Sequence, residues 1–126
     1  MFMYRVIVFV LLSALGFGAL ADTRKGYDAY EKGDFKSAIE QFRVTAQQGD
    51  GLAMFFLGEC YFNGRGVLQD FPEAVKWYKQ SAEKGQVEAQ ETLGGMYFFG
   101  KGVTQDFAQA AQWYEMAAKQ GKAYPQ

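Results

Sequence analysis

The chain has 126 residues, with 13 basic and 14 acidic side chains. That is length for one domain, and a charge too near neutrality to leave an electrostatic footprint for nucleic acid. It has no histidine and a single cysteine. It therefore lacks an intramolecular disulfide, a His/Cys metal-ligand set and the usual base for a serine or cysteine nucleophile.

The N-terminus reads as a secretory signal peptide. Met1–Arg5 is short and positive, Val6–Leu15 is continuously apolar, and Ala19-Leu20-Ala21 supplies the small residues of a cleavage site ahead of Asp22. The apolar run is shorter than the ~20 residues of a membrane-spanning helix. Cleavage between Ala21 and Asp22 is expected, giving a periplasmic or secreted protein without a stable membrane span. An uncleaved anchor is the alternative. Loss of Arg5 leaves twelve basic residues (13 − 1) against fourteen acidic, a net charge of −2.

From residue 22 the pattern is helical. In the first unit, about 22–49, Gly26, Tyr27, Tyr30 and Gly33-Asp34-Phe35 lead into Phe35, Ala38, Phe42, Ala46 and Gly49. The second unit, about 50–85, opens with apolar residues at helical spacing through Gly51–Phe62. Gly58 in the middle of that helix implies close approach by a neighbouring helix. Asn63-Gly64-Arg65-Gly66-Val67 then breaks it, with Val67 returning to the apolar face. Asp70 caps the next helix, Glu73 three residues on suggests a capping box, and Gly85 ends it. The third unit, about 86–121, repeats all of this at an offset of 36 (94 − 58, 113 − 77, 121 − 85). Ala89, Leu93, Gly94, Tyr97, Phe98, Gly100, Gly102, Val103, Gln105, Asp106, Phe107, Ala110, Trp113, Tyr114, Ala118 and Gly121 echo their counterparts. A period of this size marks a repeat array, in which each unit buries its neighbour. Six helices are predicted, at 22–32, 35–48, 51–63, 71–84, 87–99 and 107–120. Lys122–Gln126 is too short for another pair.

Ala-x-x-x-Leu-Gly-x-x-Tyr, Gly-x-Gly-Val-x-x-Asp, then Ala-x-x-Trp-Tyr and Ala-x-x-Gly resemble the Sel-one-like repeat, a relative of the tetratricopeptide repeat with a longer inter-helix loop. Units two and three carry the full pattern, and unit one resembles an ordinary tetratricopeptide repeat. The resemblance implies an all-α fold, a right-handed α-solenoid of about three antiparallel helix pairs, here preceded by the signal-peptide helix. It also implies an adaptor for other proteins. Secreted bacterial members are associated with envelope assembly, polysaccharide export, signalling and host contact.

No catalytic constellation stands out. Gly95–Lys101 matches most of a phosphate-binding loop, but Gly102 replaces the Ser or Thr and no strand precedes it. Asp70 and Asp106 recur once per unit at helix starts, as caps do, and equivalent environments do not separate two carboxylate pKa values. Cys60 faces Met96 in the echo, which makes it a packed apolar position. No cofactor and no metal is expected.

The first helices of such pairs line a concave face. Aligning Gly26, Gly58 and Gly94 points Tyr27, Tyr30, Phe55, Glu59, Phe62, Asn63, Glu88, Glu91, Phe98 and Phe99 toward it. An aromatic floor with acidic margins suits a protein or peptide partner. Unit three has no full successor, so its outer face should be apolar and open to docking or self-association. The expected function is a non-catalytic interaction module of the bacterial envelope. Two alternatives stand beside it: a cell-wall-related enzyme or β-lactam-binding protein, and a self-associating structural unit. Cysteine-rich relatives linked to β-lactams carry a disulfide in each repeat, which this chain lacks.

Overall fold

A computed structural model of the chain describes residues 23–121. The expected signal peptide, its cleavage site and the tail Lys122–Gln126 lie outside the described residues. Those residues form six helices and no strand. They are α1 (23–31), α2 (Phe35–Gln47), α3 (Gly51–Asn63), α4 (Phe71–Glu83), α5 (Val87–Phe99) and α6 (Phe107–Lys119). The expected boundaries hold to within one residue.

Helices α2 to α6 each have thirteen residues, about 20 Å at the α-helical rise. Equal lengths let successive helices lie flush. Consecutive helices pack on one another from α2 through to α6, as an α-solenoid requires. Helices α2, α4 and α6 carry an apolar stripe and a polar face, so one side meets solvent. Helix α3 is apolar nearly all round, the pattern of an element with neighbours on several sides, and α5 is apolar from Leu93 onward after a more polar first half.

Each boundary has a physical cause. The carboxylates of Asp34, Asp70 and Asp106 accept from the backbone N–H three residues on, at 3.3, 3.0 and 3.0 Å. Asp50 caps α3 by accepting from Leu52 N–H, and accepts a further bond from the Thr23 hydroxyl. The capping box expected from Asp70 and Glu73 forms only in its first half. The Asp70 N–H donates instead to the Tyr61 carbonyl at 2.8 Å, and Glu73 pairs with Lys76 at 3.6 Å. Asp106 N–H donates to Tyr97 in the same way. The recurring glutamines finish the loop: Gln69 and Gln105 donate side-chain N–H to the carbonyls of Phe62 and Phe98 at 2.9 and 2.8 Å. Orphan carbonyls at the ends of α3 and α5 are thereby satisfied.

The core lies between units. One cluster joins α2 (Ala38, Ile39, Phe42, Ala46) to α3 (Ala53, Met54, Leu57, Cys60), with Val67 and Trp77 against it. The second joins α4 (Ala74, Val75, Tyr78, Ala82) to α5 (Ala89, Leu93, Met96), with Val103 and Trp113 against it. Within units, aromatic rings sit on the mid-helix glycines. A Cβ on Gly58 would lie 2.7 Å from the Tyr78 ring, on Gly26 2.7 Å from Phe42, and on Gly94 3.0 Å from Tyr114. The close approach expected at Gly58 is therefore made by a side chain of the partner helix.

Among the described residues no helix is long and apolar enough to cross a membrane. Among the described residues nothing packs beyond α6, where only Ala110 and Ala117 are buried.

Candidate partner-binding surface

The aromatic residues expected to line the concave face form a continuous seam in units one and two. The Tyr27 and Tyr30 rings lie 5.4 and 5.5 Å from Phe56, which stacks on Phe42 at 5.2 Å. Phe55 continues the seam from Phe56 to Tyr78, and Phe62 carries it to Phe71. A cavity of about 540 Å³ opens at the α1 end, lined by Thr23, Arg24, Tyr27, Leu52 and Phe56.

The expected acidic margin is less uniform. Glu59 accepts the Tyr78 hydroxyl at 2.5 Å. Burial, reinforced by this bond, holds the Tyr78 phenol above its ordinary range. Glu59 therefore orders the seam's floor. Asn63 donates back to the Glu59 carbonyl and is also committed locally. Glu88 accepts from the Gln86 amide on α5, and half-buried Glu91 lies one turn further along that helix. Neither stands among the ring contacts of the seam. Cys60 is fully buried beneath it, and burial pushes its thiol from 9.0 to about 11. A packed, inert thiol is the reading the echo with Met96 supports.

Two basic residues absent from the sequence expectation sit on the seam. The Arg65 guanidinium lies 5.5 Å from both the Tyr30 and Phe35 ring centroids and donates to the Tyr30 hydroxyl at 2.5 Å. Lys101 Nζ lies 5.2 and 5.1 Å from the Phe62 and Phe71 centroids. All four centroid distances are within cation–π range, about 6 Å. Each cation comes from the inter-helix loop of one unit and covers an aromatic pair of the unit before. Burial raises the Tyr30 phenol, and Arg65 partly opposes that shift. The signal was present in the sequence as a basic residue between two glycines, repeated once.

Phe98 and Phe99 occupy the end of α5, with rings 5.0 Å apart and Phe107 5.2 Å from Phe98. They are 44% and 74% exposed, and Phe107 is 59% exposed, whereas the equivalent Phe62 and Phe71 are half-buried. These three rings form an apolar cluster separate from the ring seam of units one and two. Gly95–Phe99 of the phosphate-loop look-alike is helical, and Lys101 is engaged on rings, so no phosphate cradle forms.

Stacked helix–loop–helix units with an aromatic seam define a repeat scaffold. Residues 51–86 and 87–122 each match the Sel1 repeat, and the chain belongs to the Sel1 repeat family. It is similar in structure to a protective antigen of uropathogenic Escherichia coli with an SLR fold, with 35% identity and a TM-score of 0.77 over 82% of this chain and 23% of that one. It is likewise similar to a Sel1 repeat protein of Oxalobacter formigenes, with 33% identity and a TM-score of 0.77 over 82% of this chain and 44% of that one. The chain thus spans less than half the length of either. Cysteine-rich protein B of Helicobacter pylori shares the fold, with a TM-score of 0.72 and 22% identity over 89% of both chains. Among curated proteins there is no match. Family and fold fit a protein-interaction scaffold.

Proposed function

We propose that the protein is a non-catalytic adaptor of the bacterial cell envelope, exported by its N-terminal signal, and that it binds a protein partner chiefly through the open end of its third unit. The observation that carries this reading is the exposed Phe98–Phe99–Phe107 cluster: Phe62 and Phe71, the counterparts of Phe98 and Phe107, are half-buried under Lys101, and Phe99 stands where unit two has the polar Asn63. Clustered exposed aromatics are a common anchor for protein partners. The groove floor from Tyr27 to Phe62 extends the surface and supplies shape more than charge.

Site-specific photo-crosslinking tests this. A benzoyl-phenylalanine at position 99 should trap a defined partner in envelope preparations, and Phe98→Ser with Phe107→Ser should abolish the trapping. Trapping that persists in the double variant contradicts the assignment. Sedimentation of the pure protein decides whether the trapped species is a second copy.

A further inference from the structure

Three aromatic pairs recur in this chain, each made by the last turn of one helix and the first residue of the next. Tyr30 and Phe35 lie 5.2 Å apart, Phe62 and Phe71 5.1 Å, and Phe98 and Phe107 5.2 Å. Their interplanar angles are 70°, 52° and 62°, so none of the three is a parallel stack. The first pair carries Arg65 and the second carries Lys101. No cation lies over the third among the described residues.

The two filled pairs also fix how their occupant arrives. The glycine after each cation lies flat on the backbone beneath it. A Cβ on Gly66 would sit 3.0 Å from the Phe35 carbonyl carbon, and one on Gly102 2.7 Å from the Phe71 carbonyl oxygen. Even an alanine Cβ there would press the loop off the rings. The neighbouring helix positions differ: Ile39 and Val75 are buried, whereas their counterpart Ala111 is small and exposed. The end of unit three is thus reduced at this one packing position, and has kept the ring pair.

We propose that the Phe98/Phe107 ring pair, with Phe99 beside it, is a slot for a lysine or arginine followed by glycine in a turn of a partner polypeptide. The slot is preformed, because its rings already hold the spacing of the two occupied pairs. The partner would dock a cation over the rings while its glycine meets the Phe107 backbone. This deepens the open-end reading and rests on it.

The probe is a cyclic peptide bearing the sequence of residues 63–70, Asn-Gly-Arg-Gly-Val-Leu-Gln-Asp, titrated into the isotope-labelled full chain. Amide shifts should concentrate between residues 98 and 107. The same peptide with citrulline for arginine keeps shape and loses charge, and should bind roughly three- to tenfold more weakly. Phe107→Leu, which keeps an apolar side chain without a ring, should remove that difference. Equal binding of both peptides, shifts elsewhere, or no shifts at all would overturn the slot. If crosslinking at position 99 still depends on Phe98 and Phe107 in that case, only the cation chemistry is wrong. If it does not, the open-end reading fails with it.

Discussion

At the scale of residues, the pairing of glycine with a ring is the tightest constraint in the fold. Tyr78 is buried, tied by Glu59, and pressed on Gly58, so neither partner can move aside. Gly58→Ala should cost about 2 kcal/mol by overpacking. Gly94→Ala should cost no more than about half as much, because Tyr114 is half-exposed and Gly95 stands where Glu59 restrains its counterpart. Urea unfolding of both variants checks the order, and a reversed order would contradict this account. Cys60 sets a pH dependence. Its folded pKa of about 11 lies above the ordinary 9.0, so its contribution is fully present below pH 9. Between those values the unfolded chain sheds the proton that the folded chain keeps, and stability falls as pH rises. Tyr78, shifted the same way, adds to the fall at higher pH. With no histidine, denaturation midpoints should be nearly flat between about pH 6 and 8 and drop above 9. A thiol reagent should label Cys60 only on unfolding.

At the scale of elements, the loop between paired helices is a docking device. Gly102 has φ +75° and packs on the Phe71 carbonyl, so Gly102→Ala meets left-handed strain and a clash together. A loss of roughly 2–4 kcal/mol is expected. Asp106→Ala removes one cap bond and should cost only about 1 kcal/mol. Tryptophan-monitored unfolding of the two variants compares them, and a costlier Asp106→Ala would mean that capping outweighs docking.

The elements themselves were legible in the sequence because their signals are local. Asp34, Asp70 and Asp106, and the glycines after each helix, act on residues three or four positions away, and periodicity found them to within one residue. The ring contacts among the first helices were legible only in part. Tyr27, Tyr30, Phe55 and Phe62 do form a seam, since each follows from helical phase. Phe56 joins it through rings of α1 and α2, and Arg65 and Lys101 cross from one unit onto the previous one. Helical phase within a unit does not say which neighbour a loop reaches. Glu59 belongs to the expected set, but its hydrogen bond to Tyr78 depends on the packing of α3 against α4.

At the scale of the whole molecule, each unit is stabilised by its successor, and unit three has none among the described residues. In a linear array the terminal unit opens most readily. Amide exchange should therefore be fastest in α6 and slowest where α3 meets α4. Slowest exchange in α6 would mean that the end is more tightly held than its exposed rings imply. The same asymmetry leaves Phe98, Phe99 and Phe107 open at that end. The central claim is that this end, more than the groove floor, is where the partner seats. Exchange footprinting of the crosslink-identified partner on the protein tests it most directly. New protection confined to residues 98–107 and the start of α6 is the predicted result. Protection centred on residues 27–62, with the third unit unchanged, would contradict it.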